Sequence, residues 1–113
     1  MLTIRKAQMD AFTLDLLIRF KERLLRRFTA LYPEHFFRLH EEGMKGLIDH
    51  GIEMAGRYHI DTERDVAEFI NFALKTTGDI DAMIQSEPVR GILESDSFSG
   101  QSKVQLLNLQ LKP

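Results

Sequence analysis

The side chains of this sequence that could do chemistry are four histidines and 17 carboxylates. A metal site on a helix needs His, Asp or Glu ligands three or four positions apart, because only then do the side chains share a face. His50 and Glu53 have this spacing, and so do Asp49 and Glu53. Neither pair belongs to the H-E-x-x-H motif of zinc enzymes or to the Glu-x-x-His motif of di-iron bundles. Such pairs arise by chance in a chain with 28% charged residues, so we predict no metal site.

Motifs for nucleophilic catalysis and for phosphate binding are absent from the sequence. The chain contains no cysteine, which excludes a thiol nucleophile, a disulfide framework and zinc sites built on Cys ligands. No serine stands in a G-x-S-x-G turn. Gly43, Gly46 and Gly51 lie within a helical pattern and do not follow a strand, so they do not form a phosphate-binding loop. We therefore predict that the protein is not an enzyme and needs no cofactor.

Length and composition predict one soluble domain that spans residues 1–113. A chain of 113 residues with 43% hydrophobic residues has the composition of an ordinary globular protein, and its length leaves room for a single core. No run of about 18 apolar residues is present, so we predict no membrane span. Residues 1–6 lack the apolar run of a secretory signal, which favours a cytoplasmic location. The net charge of -2 disfavours a nucleic-acid partner.

Apolar residues repeat at helical spacing along nearly the whole chain, which predicts an all-α, compact bundle of about five helices. The long N-terminal helix begins near Asp15, after an N-cap at Thr13, and ends at Pro33, because proline lacks the N–H that the next turn requires. Thr62-Glu63-Arg64-Asp65 resembles a capping box, and Gly78 is placed for a left-handed C-cap. Short helical turns are predicted at 4–11 and 34–40, and the main helices at 15–32, 41–58, 62–77, 86–94 and 104–111.

The long helix is predicted to bury one face and to expose a basic one. Its apolar face consists of Phe20, Leu24, Phe28 and Leu31, widened by Leu14, Leu17, Ile18 and Leu25. Residues 1–40 carry eight Lys/Arg and four Asp/Glu, a net charge of +4, whereas residues 41–113 carry a net charge of -6. The simpler interpretation is that the basic residues pair with acids of later helices. The functional interpretation is a docking surface for an acidic partner protein, formed by Arg19, Arg23, Arg26 and Arg27.

The C-terminal residues and the glycines of the second long helix are compatible with more than one structure. Leu107, Leu109 and Leu111 alternate as in a strand, whereas Val104, Leu107 and Leu111 have helical spacing. We favour a helix, because a lone terminal strand would have no partner. This leucine-rich tail packs either within the molecule or against a second copy in a homodimer. The three glycines between residues 43 and 51 either let a neighbouring helix approach closely or mark a kink.

Two stretches of the sequence carry a recognisable pattern. The first contains Ile4-Arg5, the run from Gln8 to Phe12, Phe20, Arg23-Leu24 and Tyr32-Pro33. The second contains Gly51-Ile52, Ala55, Tyr58, Ile60, the run from Glu63 to Ala67, Phe69-Ile70 and Gly78-Asp79-Ile80-Asp81. Together they resemble a family of small, uncharacterised proteobacterial proteins whose genes lie beside type VI secretion spike, adaptor and effector genes. The resemblance covers roughly residues 4–95. The motifs that carry it are helix caps, apolar stripes and a turn, and none of them contains a catalytic residue. Tyr32 stands where the family has Phe, and His59 where it usually has Gly.

These observations predict a non-enzymatic protein-interaction module. The resemblance implies an accessory protein, adaptor or chaperone-like partner of a type VI secretion effector or spike protein encoded nearby. The alternative is an immunity protein that neutralises a cognate toxin through an acidic surface. The acidic candidates are Asp61, Glu63, Asp65, Glu68, Asp79 and Asp81. A small enzyme or metal protein is a third alternative, which the missing motifs disfavour.

Overall fold

The computed structural model describes residues 11–110, and these residues form six α-helices without a strand. The helices are α1 (Ala11–Leu31), α2 (Pro33–Arg57), α3 (Glu63–Thr76), α4 (Ile80–Gln85), α5 (Val89–Glu94) and α6 (Gly100–Leu109). The predicted all-α class is therefore confirmed, with six helices where about five were expected. Most of the predicted turn at 4–11 lies outside the described residues. The predicted start of the long helix near Asp15, with Thr13 as its N-cap, is wrong, because α1 already includes Ala11. The additional helix is α4, which Asp79 caps by accepting the N–H of Asp81 at 2.9 Å.

The long helix α1 buries one face of regularly spaced apolar residues. Leu17, Phe20, Leu24 and Phe28 recur at intervals of three and four and are all buried. Leu31 is 54% exposed because α1 ends there, before its side chain reaches the core. Leu14 and Ile18 are exposed as well, so the apolar face is narrower than the sequence predicted. Pro33 begins α2 at once, where its missing N–H costs nothing.

Helix α2 is broken at His40, whose φ of 62° and ψ of 178° are not helical. The break divides α2 into a first segment, residues 33–39, and a second segment, residues 41–57. This position agrees with the predicted boundary between a helical turn and a main helix. The second segment packs against α1, where Lys21 Nζ lies 2.9 Å from Asp49 Oδ1, and against α3. The first segment contacts α3 through His35, whose Nε2 lies 3.0 Å from the carbonyl oxygen of Leu74.

Helix α3 is the most buried helix and has the caps that the sequence predicts. The Thr62 hydroxyl oxygen accepts the N–H of Asp65 at 3.3 Å and donates to Asp65 Oδ2 at 2.9 Å. At the other end Gly78 has a φ of 76°, and its N–H donates to the Ala73 carbonyl at 2.7 Å. Seven of the 14 residues between these caps are buried, so α3 forms the centre of the core.

Helix α6 packs against α3. Residues 104–109 lie within α6, so the helical alternative for this part of the chain is confirmed. Ser99 caps it by accepting the N–H of Ser102 at 3.1 Å. Lys103 is only 3% exposed, and its ammonium donates to the Tyr58 carbonyl at 3.1 Å. The same ammonium lies 5.9 Å from the centre of the Tyr58 ring. Because a buried ammonium needs such partners, Lys103 fixes α6 against the C-terminal end of α2.

The glycines of α2 differ in what surrounds them, and this difference predicts opposite effects of alanine. A Cβ on Gly51 would lie 2.6 Å from Ile70 Cγ1, so the absence of a side chain allows α2 and α3 to approach closely. A Cβ on Gly46 would have no neighbouring atom within 4 Å. Gly46→Ala should therefore raise the free energy of unfolding by about 1 kcal/mol through helix propensity. Gly51→Ala should lower it by about 1–3 kcal/mol through overpacking. Urea unfolding followed by circular dichroism measures both changes, and equal stability of the two variants would contradict this packing.

Candidate functional site

The four arginines predicted to form a docking surface all lie on α1, but two of them already have partners within the molecule. Arg19 pairs with Asp15 one turn earlier, with 3.2 Å between Nε and Oδ2. Arg23 pairs with Glu63 at the start of α3, and its guanidinium lies 5.8 Å from the centre of the Phe20 ring. A new partner would have to compete with these contacts. The simpler interpretation, pairing with acids of later helices, therefore applies to Arg23, whereas Arg19 pairs with an acid of α1 itself.

Arg26 and Arg27 lie on the last turns of α1 and are exposed. Among the side chains that the structure describes, no carboxylate forms an ion pair with either arginine. Leu31, four residues after Arg27 and thus on the same side of the helix, is exposed too. We call Arg26, Arg27 and Leu31 the basic end of α1. It combines an exposed apolar side chain with two positive charges that have no ion pair with a described carboxylate.

The basic end of α1 is held rigidly by the turn that follows it. The Tyr32 hydroxyl donates to Asn71 Oδ1 at 2.5 Å, which ties this turn to the middle of α3. Burial raises the pKa of the Tyr32 hydroxyl above its ordinary value, and the positive charge of Arg27 partly opposes that increase. Tyr32 also packs against Phe28, with 6.2 Å between the ring centres. The backbone that carries the arginines is therefore attached to α3 and to the core through Tyr32.

Most of the acidic residues considered for an immunity function make contacts within the molecule. Glu63 pairs with Arg23, and Asp65 accepts the Thr62 hydroxyl. Glu68 accepts the Asn108 side-chain amide at 3.1 Å. Asp79 caps α4, and Asp81 Oδ1 lies 2.7 Å from His50 Nε2. These carboxylates take part in caps and in contacts between helices, so a toxin would have to compete with those contacts.

The residues of the two pairs with metal-ligand spacing make separate polar contacts. His50 pairs with Asp81 of α4, and Asp49 pairs with Lys21 of α1. Glu53 lies 3.4 Å from Arg57 on the same helix. Within the described part of the chain, no group of three or more His, Asp or Glu side chains is arranged to hold a metal ion. The basic end of α1 is therefore the surface feature that best matches the sequence-based prediction.

Comparisons with protein-family models, with curated proteins and with solved structures find no match to this chain. Among the helices described here, none is long and apolar enough to cross a membrane.

Sequence reasoning missed a cleft of about 610 Å³ between the two segments of α2 and the loop that joins α3 to α4. Its lining includes His35 and Arg38 from the first segment, His50 from the second, and Asp79 from the loop. The break at His40 creates this cleft, because it turns the first segment away from the axis of the second. A histidine gives no sequence signal for such a break, in contrast to proline or glycine.

Proposed function

We propose that this protein is a non-enzymatic protein-binding module whose basic end of α1 docks an acidic segment of a partner protein. The observation that carries the proposal is the contrast along α1: Arg19 and Arg23 are paired within the molecule, whereas Arg26 and Arg27 are exposed without an ion pair to a described carboxylate. Binding to these two arginines breaks no ion pair among the described side chains.

The chemistry of the basic end favours a carboxylate-rich partner. A guanidinium binds a carboxylate through two parallel hydrogen bonds, which gives directional recognition as well as attraction. Leu31, 54% exposed, adds an apolar contact beside the charges. Positive charge on one end of the molecule also accelerates encounters with an acidic surface, and this effect weakens as salt is added. We therefore expect binding that is fast and sensitive to ionic strength.

The identity of the partner is proposed from the resemblance to proteins encoded beside type VI secretion genes. On that basis the protein acts in the cytoplasm as an accessory protein, adaptor or chaperone-like partner of a secreted effector or spike protein. The immunity alternative has less support, because its acidic candidates make contacts within the molecule.

Co-purification with the products of the adjacent genes tests the proposal. We expect the tagged protein to retain one of these products at low salt and to lose it when Arg26→Glu and Arg27→Glu are combined. The matched control combines Lys75→Glu with Arg90→Glu, which changes the net charge equally at exposed positions on α3 and α5. Retention of no adjacent gene product, or equal loss in the control, would contradict the proposal.

A further inference from the structure

We infer that the cleft at the break in α2 binds a free apolar α-amino acid, a role independent of the proposed protein docking. The cleft has a volume of about 610 Å³, within the range of roughly 300–1,000 Å³ typical of small-molecule sites. Its lining includes one cation, Arg38, one anion, Asp79, and the apolar side chains of Leu39, Leu47 and Ile80. An apolar amino acid carries the complementary set: a carboxylate, an ammonium and an apolar side chain.

His35 orients Arg38 and leaves its guanidinium charge available to a ligand. The carbonyl of Leu74 only accepts hydrogen bonds, so His35 donates to it through Nε2, at 3.0 Å. In neutral His35 the other nitrogen, Nδ1, is then an acceptor for Arg38 Nη2, which lies 3.3 Å away. Arg38 has no ion pair with any described carboxylate. Its remaining N–H groups can therefore bind the carboxylate of a ligand.

Asp79 supplies the opposite charge from the loop between α3 and α4. Its Oδ1 accepts the N–H of Asp81, whereas Oδ2 accepts no hydrogen bond from a described residue. A carboxylate in this position repels a simple anion but attracts an ammonium group. The charges of the cleft therefore favour a zwitterion over a fatty acid or inorganic phosphate.

The position of the loop depends on Gly78. Its φ of 76° favours glycine, and a Cβ there would lie 2.8 Å from Cε1 of His35. The loop thus packs directly on the imidazole that orients Arg38. This contact places the loop that carries Asp79 directly beside the histidine that contacts Arg38.

Titration of the isotope-labelled full chain with L-leucine, followed by nuclear magnetic resonance, tests this inference. We expect leucine to shift the backbone amide signals of Gly46 and Gly78. L-leucinamide lacks the carboxylate and 4-methylpentanoate lacks the ammonium, so each should bind at least about tenfold more weakly. Unmoved signals at millimolar leucine, or equal binding of either analogue, would overturn the inference.

Two variants test whether leucine binds in the cleft. Arg38→Gln should weaken leucine binding by about ten- to a hundredfold, since it removes the charge while leaving an exposed polar side chain. Gly46→Leu should block the cleft, because Gly46 lines it and a Cβ there meets no atom within 4 Å. Gly56→Leu is the matched control, because a Cβ at Gly56 is equally unobstructed but lies outside the cleft lining. Wild-type affinity in Arg38→Gln, or equal binding by Gly46→Leu and Gly56→Leu, would overturn the assignment.

Discussion

Gly100→Ala should lower the free energy of unfolding by about 3 kcal/mol or more, which is the largest effect that we expect from adding a single methyl group to this protein. A Cβ on Gly100 would lie 2.1 Å from the carbonyl oxygen of His59 and 3.0 Å from Cα of Ile60. These are backbone atoms in the connection between α2 and α3, so no side-chain rotation relieves the contact. The start of α6 would have to move, and with it the core contacts of Val104 and Leu107.

Urea unfolding monitored by circular dichroism measures this loss. Gly91→Ala is the matched control, because a Cβ at Gly91 meets only the far end of the Glu87 side chain, at 3.6 Å. We expect the Gly91 variant to be at least as stable as the parent protein, since alanine favours the helix. If the free energy of unfolding of Gly100→Ala lies within about 0.5 kcal/mol of the parent value, α6 does not pack on the connection between α2 and α3 as described.

Phe28→Ala should lower the free energy of unfolding by about 3–5 kcal/mol. Phe28 is 0% exposed, and it lies where the last turns of α1 meet the rest of the core. Its removal loses the free energy of burying a phenyl ring and leaves a cavity that rigid neighbouring helices fill only in part. The same unfolding experiment measures this cost.

Phe37→Ala is the natural comparison for Phe28→Ala. Phe37 carries the same side chain but is 82% exposed on the first segment of α2. Its replacement should change the free energy of unfolding by no more than about 0.5 kcal/mol. Similar losses in the two variants would show that the burial pattern of α1 and α2 is wrong.

Local sequence signals predicted several helix ends, because the interactions that form them lie within a few residues. They placed the starts of α1 and α6 too late, since α1 already includes Ala11 and α6 begins at Gly100. Pro33 ends α1, Thr62 caps α3 through Asp65, and Gly78 adopts the left-handed conformation at the end of α3. Each of these features depends on a backbone preference or a hydrogen bond between near neighbours. The break at His40 lies at the predicted boundary between the turn at 34–40 and the helix at 41–58, but the positive φ of His40 was not predictable, since no residue type there demands it.

Contacts between distant parts of the chain were not predictable from spacing. Arg23 and Glu63 are 40 residues apart, and Lys103 and Tyr58 are 45 apart. The sequence therefore identified a basic helix but could not separate the paired Arg23 from the exposed Arg26 and Arg27. The cleft was missed for the same reason, because it joins residues of α2 with a loop more than 25 residues further along the chain.

The affinity for the retained partner, measured by isothermal titration calorimetry at low and high salt, tests the docking proposal most directly. The comparison includes the parent protein, the variant that combines Arg26→Glu with Arg27→Glu, and the control that combines Lys75→Glu with Arg90→Glu. We expect the Arg26/Arg27 variant to bind at least about tenfold more weakly at low salt, and the control to remain close to the parent protein. Parent affinity in the Arg26/Arg27 variant, or no dependence on salt, would show that the partner does not dock on the basic end of α1.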